Sequence, residues 1–454
     1  MNALDRTQPP AREAAKPVRF PPFERTQLDS GLTVYTARSE RTPLMSVQVL
    51  LPAGAENDPS HRPGLAAFTA DLLEEGTRTR SSTQIADEVE SLGGSLATAA
   101  GWSTASIAIS LLSVHADQGL DLLEDVATRP AFDDLEIERL RRERLTDLLR
   151  RRDQSAALAV AALVRSIYGN SGYGHSLVGG EASVRALARD EIVDFYDRHK
   201  TPRAIKVIAV GNLPSDDIAD RLREAFGGSS AREAPDREEI RPRDLTGIEV
   251  VIVDRTDAAQ TEIRLGHAGV EKNHPDRPAL TVLNSLLGGK FTSRINLNLR
   301  ERHGFTYGAN SSFSQRRGPG PFVVSTAVAT DKAGAAVQEV LSELSRLQEE
   351  AVPEDELVET LSYLGGVFAY GLQTNAGILQ HLQTLAVFDL PDDHFEVFRK
   401  QVAAVTVSEI RAAAQRHLHP DRIVVVAVGP AAELKPQLEG LGEARIVEPP
   451  SIFA

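Results

Sequence analysis

The sequence predicts an α+β fold: two tandem homologous domains, each a largely antiparallel sheet covered by helices. Three observations lead there. The chain repeats itself at a fixed offset, a linker-like segment divides it near the middle, and in each half strand-like runs are followed by long helical stretches. At 454 residues it also exceeds the ~250–300 at which a single core stops growing.

The repeat is plainest where each half ends. His199 to Gly211 reads HKTPRAIKVIAVG and His417 to Gly429 reads HLHPDRIVVVAVG, at an offset of 218 residues. Glu191 and Ile192 fall on Glu409 and Ile410 at the same offset. A looser echo, at offsets of 215–216, links Asn57, Pro59, Arg62, Pro63 and Leu65 with Asn273, Pro275, Arg277, Pro278 and Leu280. Between the halves, Gly227 to Arg243 has the Gly, Ser, Pro and charged composition of a linker. The expected organisation is a flexible, proline-rich arm over 1–22, a first domain over 23–227, a linker over 228–243 and a second domain over 244–454.

Within the first unit, Leu32 to Ala37 and Met45 to Leu51 read as strands, and Pro63 opens an apolar helical stretch ending at Gly76. The second unit matches with strands Val250 to Val253 and Thr261 to Gly266, then a helix from Pro278 stopped by Gly288 and Gly289. Long helices are expected over about 134–166 and 333–371, and a Val-rich strand closes each unit, Ile205 to Val210 and Ile423 to Val428. A doubly wound nucleotide-binding fold is excluded, since no Gly-x-Gly-x-x-Gly turn follows a first strand and no Walker lysine is present.

Composition narrows the function. Sixty-four acidic against 50 basic residues give a net charge of −14, which argues against nucleic acid as a partner. No apolar run reaches the ~18–20 residues of a membrane span, and with no cysteine there is neither a disulfide scaffold nor a thiolate site. The compartment stays open between cytoplasm and periplasm, and an earlier leader is compatible with the N-terminal sequence. Arg139, Arg141, Arg142, Arg144, Arg150, Arg151 and Arg152 alternate with Glu138, Glu143, Asp147 and Asp153, as on a solvated helix face laced with ion pairs.

Eleven histidines make metal chemistry worth testing. No two lie at i and i+4 beside a glutamate, the spacing that points both rings at one zinc from a helix. His417 and His419 stand at a helix end before Pro420, where capping of the last carbonyls or plain exposure is expected. No Gly-x-Ser-x-Gly elbow occurs either.

The segment PGLAAFTADLLEEGT, Pro63 to Thr77, resembles the pitrilysin/insulinase-type metallopeptidase family, which includes mitochondrial processing peptidase. Active members carry the inverted motif His-x-x-Glu-His here, two zinc ligands and a water-activating glutamate, with a third ligand about 76 residues on. The frame survives in Gly64, Leu65, Phe68, Leu72, Gly76 and Thr77. The histidine positions hold Ala67 and Asp71, the base position Ala70 and the third-ligand position Asp147. The resemblance therefore implies no zinc in this chain.

The second half resembles the family in the opposite sense. From Leu283 it reads LNSLLGGKFTSRINLNLRERHGFTYG, a glycine loop, a helix, and an arginine seven residues before a tyrosine, here Arg300 and Tyr307. Ser293 is expected to cap the helix, Gly304 to end it, and Phe305 to Tyr307 to begin a strand. Thr374, Asn375, Ala376, Leu390 and Pro391 match the family pattern further on, so the likeness covers about residues 25–445. What it implies is that Arg300 and Tyr307 face a peptide carbonyl across a clam-shell chamber, with Gly288, Gly289 and Phe291 lining the peptide. Zinc is then expected in a homologous partner subunit, and the substrate is a peptide. Two other readings stay open: a peptide-binding or chaperone-like module, and a purely structural homologue.

Overall fold

The computed structural model of the protein describes residues 18–201, 203–213, 218–226, 238–442 and 444–452. Most of the expected arm, 1–17, and most of the expected linker, 228–237, lie outside the described residues. The described end of the arm is packed, with Phe20 stacked on Phe395 at 5.0 Å.

Twelve strands form two six-stranded sheets. The first holds β1 (Glu24–Gln27), β2 (Thr33–Arg38), β3 (Leu44–Leu51), β4 (Ser95–Ala100), β5 (Ala105–Leu112) and β6 (Lys206–Gly211), in the order β1-β2-β6-β3-β5-β4. The second holds β7 (Glu249–Asp254), β8 (Thr261–Ala268), β9 (Ala309–Phe313), β10 (Pro321–Val328), β11 (Val424–Gly429) and β12 (Ala444–Val447), in the order β12-β7-β11-β8-β10-β9. Most pairings are antiparallel; the parallel ones join late strands to an early one, β6 with β2 and both β11 and β12 with β7. The two orders correspond strand for strand, apart from the swap of an early edge strand for a late one, as the internal repeat requires.

One face of each sheet carries its own unit's helices over an apolar core, centred on Val47, Phe68, Ile107 and Leu123 in the first unit and on Ile263, Leu286, Val337 and Ile410 in the second. The other face is covered by an exchanged helix. Helix Ser155–Tyr168 of the first half lays Leu158, Leu163 and Ile167 on Val251, Val424 and Val426 of the second sheet. Helix Asn375–Phe388 of the second half lays Ile378, Leu382 and Leu385 on Tyr35, Leu50 and Ile208 of the first. The exchange explains the unbroken Val and Ile runs of β6 and β11, which must be apolar on both faces.

Both expected long helices are divided. The first is Asp134–Arg152 followed by Ser155–Tyr168, and the second is Ala333–Glu349 followed by Glu354–Gly371. The first break lets Ser155–Tyr168 leave its own unit and cross to the other sheet. Pro353 marks the second, its ring fixing the start of the following helix. Among the described residues no helix is long and apolar enough to cross a membrane.

Candidate functional site

Helix Leu65–Asp71 carries the degenerate motif and is well founded. Gly64 enters it with φ +92°, where a Cβ would lie 2.7 Å from the Gly179 backbone. The buried Asp58 carboxylate accepts from the N–H groups of Gly64 and Ala66, both at 2.7 Å, and so caps the helix. Past its end, Thr77 donates to the buried Asp125 at 2.6 Å, which also binds Arg80 at 2.8 Å.

The side chains on this frame do not fit a zinc ion. Ala67 and Ala70 are buried and offer no donor atom. Asp71 is bonded to the guanidinium of Arg144, which comes from helix Asp134–Arg152 and is only 8% exposed. Burial raises the Asp71 carboxyl above its ordinary range, with Arg144 opposing and Glu75 adding to the rise. Asp147, on that same helix, binds Arg151 at 2.6 Å and lies 3.8 Å from Arg150. Each carboxylate already faces a protein cation, the neighbouring Glu75 is itself paired with Arg139, and among the described residues no imidazole accompanies them. Most of the arginine segment is thus ion-paired, though Arg144 points inward, Arg141 also reaches the carbonyls of Val184 and Leu187, and Arg142 bonds the Glu138 carbonyl.

Among the described residues, His274, Asp276 and His417 bring three ligand-type atoms within 4.8 Å of one another. They are already bonded to one another and to an arginine: His417 Nε2 donates to Asp276 at 2.7 Å, Arg416 binds the same carboxylate at 3.0 Å, and the Asp276 N–H donates to His274 Nδ1 at 3.1 Å. The His417 ring neither caps its helix nor lies exposed. It ties the end of helix Val407–His417 to the start of helix Arg277–Asn284.

In the second half there are two wide helical turns, Ser285–Gly289 just before Phe291 and Leu297–Arg302, which contains Arg300. Such turns recur at functional sites because they re-aim side chains out of register with the helix. Gly288 is buried, and a Cβ there would lie 2.4 Å from the Ser311 nitrogen, so close packing on β9 requires glycine. The loop is anchored by Lys290 Nζ donating to Thr360 at 2.9 Å and by the paired bonds of Arg294 to Glu356 at 2.9 and 2.7 Å. Phe291 is exposed, and the Arg300 guanidinium lies over its ring at 4.6 Å. Tyr307 is 90% exposed.

Two details differ from expectation. The Ser293 hydroxyl makes no cap bond, although the residue stands at the N-cap. The strand begins at Ala309 rather than at Phe305, because Thr306 turns the chain first: its hydroxyl donates to the Gly308 carbonyl at 2.9 Å and accepts from the Gly308 N–H at 3.1 Å. Gly304 does end the helix in the left-handed region, at φ +64°. Tyr307 therefore sits at the tip of a tight turn. No local pattern pointed to Arg144 as partner to Asp71, nor to Asn296, whose amide bonds the carbonyl of Phe291 and the N–H of Ala309. Those pairs are joined through space across intervals that no local pattern marks.

Comparison with known proteins agrees with this anatomy. Residues 33–180 match the model of the insulinase family, peptidase family M16, and residues 186–364 match that of the peptidase M16 inactive domain. A Mycobacterium tuberculosis protein described as an uncharacterised zinc protease is 28% identical, covering 93% of this chain and 96% of its own. One from Streptomyces coelicolor is 23% identical over 86% of each. Among solved structures, a Pseudomonas fluorescens peptidase M16 inactive domain superposes with a TM-score of 0.84 at 22% identity, covering 90% of this chain and 98% of that one. A Helicobacter pylori protease gives 0.86 at 18% identity, covering 91% and 100%. At these identities the structural likeness is one of fold. Taken with the two matching family models and with Ala67, Ala70 and Asp71 where the metal motif would stand, it places the chain in the M16 peptidase family, as a member without the zinc motif.

Proposed function

We propose that this chain is the zinc-less subunit of a heteromeric peptidase, paired with a homologous subunit that holds the metal. Its contribution is Arg300 and Tyr307, presented to the peptide carbonyl whose oxygen becomes negative as water attacks. Such donors act because they are fixed in place before the charge develops, and removal of one typically costs ~10²–10³ in rate. The single observation that carries the reading is the contrast between the halves. Where the metal motif would be, alanines and an arginine ion pair close the site, while Arg300 is held at the surface on a wide helical turn over Phe291 and Tyr307 on a tight turn.

The test is made in the complex of this chain with its zinc-bearing partner. Arg300→Ala and Tyr307→Phe are each expected to lower kcat by ~10²-fold or more, with zinc content unchanged. Unaltered turnover in both variants would remove the proposed role. The chain alone is expected to hydrolyse no peptide and to carry far less than one zinc; unaided hydrolysis by the purified chain would equally end the proposal.

A further inference from the structure

Asn296 lies one turn before Arg300, near the start of the same helical stretch, and reaches both the loop before that helix and the strand after the Tyr307 turn. It is 3% exposed, and its side-chain amide spans the fold: Nδ2 donates to the Phe291 carbonyl at 2.6 Å and Oδ1 accepts from the Ala309 N–H at 3.0 Å. The backbone dictates which way the amide points, since a carbonyl can only accept and an N–H can only donate. One bond fixes the residue whose ring lies under the Arg300 guanidinium. The other fixes the strand start two residues beyond Tyr307. From the far side, Thr326 donates to the Thr306 hydroxyl at 3.1 Å and stands 3.2 Å from the Gly308 carbonyl, so the Tyr307 turn is held on both flanks.

We propose that Asn296 is the positioning residue that sets the separation of Arg300 and Tyr307, acting through Phe291 and Ala309 without touching substrate. The inference rests on the functional reading above. A buried amide with both ends engaged is costly to disturb, since removing one partner leaves a buried polar group unsatisfied. Displacement of a reacting group by about 1 Å can cost ~10²-fold in rate, so a brace of this kind is read in kcat rather than in binding.

The experiment uses the complex with the zinc-bearing partner and two substitutions of similar size. Asn296→Asp keeps an acceptor for Ala309 and loses the donor to Phe291; Asn296→Leu loses both. Expected is a fall in kcat of ~10-fold for Asp and ~10²-fold for Leu, with KM within about twofold, read at a temperature well below each variant's thermal midpoint, which the lost buried bond lowers. Combining Asn296→Asp with Arg300→Ala is expected to add little to Arg300→Ala alone, because both act through one guanidinium. If Arg300→Ala slows turnover while Asn296→Asp leaves kcat intact, or if the two effects multiply in full, the brace is overturned and the donor role stands. If Arg300→Ala itself changes nothing, the donor role fails and the brace falls with it.

Discussion

Arg144 takes the place of a metal in joining the two helices of the degenerate centre. Asp71 ends one helix and Arg144 lies within the other, and their ion pair is shielded from water on the arginine side. Restoring the motif alone should therefore fail. In a chain carrying Ala67→His, Ala70→Glu, Asp71→His and Asp147→Glu, elemental analysis is expected to find well under one zinc while Arg144 remains, since a buried guanidinium repels the ion at close range. Adding Arg144→Ala should raise the content several-fold. A full zinc per chain with Arg144 in place would show that the guanidinium yields. At this scale the losses were legible in the sequence, because Ala67 and Ala70 stand in an otherwise intact frame. Their replacement was not, because Asp71 and Arg144 are 73 residues apart and meet only in the fold.

At the scale of elements, the closing strands were recognised from composition, and their neighbours set a pH dependence. His267, on β8, is fully buried against Phe322 and His419, with ring centroids at 5.0 and 4.8 Å. Its Nδ1 donates to the Ala268 carbonyl at 2.8 Å and its Nε2 accepts from the His419 N–H at 3.3 Å, so the ring is neutral. Burial, with the nearby His419 and Arg422 adding to it, pushes its pKa down from 6.5 to about 3. Below pH ~6.5 the unfolded chain takes up a proton that the folded chain refuses until pH ~3. Stability is thus full above pH ~6.5 and falls through this window by at most ~1.4 kcal/mol per unit. Urea midpoints measured from pH 7 to 4 should show a flatter slope in His267→Gln than in the parent, whatever the variant's absolute stability. Equal slopes would assign the acid sensitivity elsewhere. The helices were less well read: periodicity located them but joined Asp134–Arg152 to Ser155–Tyr168, since an amphipathic pattern does not say which sheet an apolar face will meet.

For the molecule as a whole, the exchanged helices make each half incomplete. Burial of Leu158, Leu163, Ile167 and Tyr168 on the second sheet is worth ~6–12 kcal/mol at ~1.5–3 per side chain, comparable to the net stability of a domain. A clasp completes the junction. Arg316 of the second half lies at 4.0 and 4.5 Å over the rings of Trp102 and Tyr173 of the first, and Tyr173 donates to Glu56 at 3.0 Å. Halves expressed separately, residues 18–226 and 238–452, are expected to bind hydrophobic dye and lack a cooperative thermal transition, whereas co-expression restores one. A sharp transition in either half alone would contradict this.

The sequence by itself determined that the chain is a duplicated α+β unit, that its first half has lost the groups needed to hold zinc, and that its second half keeps an arginine and a tyrosine at family spacing. Those properties are written in local residue identity and in a repeat of fixed offset. Only the tertiary structure decided which cation faces Asp71, which amide ties the Phe291 loop to the strand beyond Tyr307, and which sheet each exchanged helix covers. These are contacts between segments distant along the chain, and a hydrogen bond or an apolar face carries no mark of its partner until packing brings the two together.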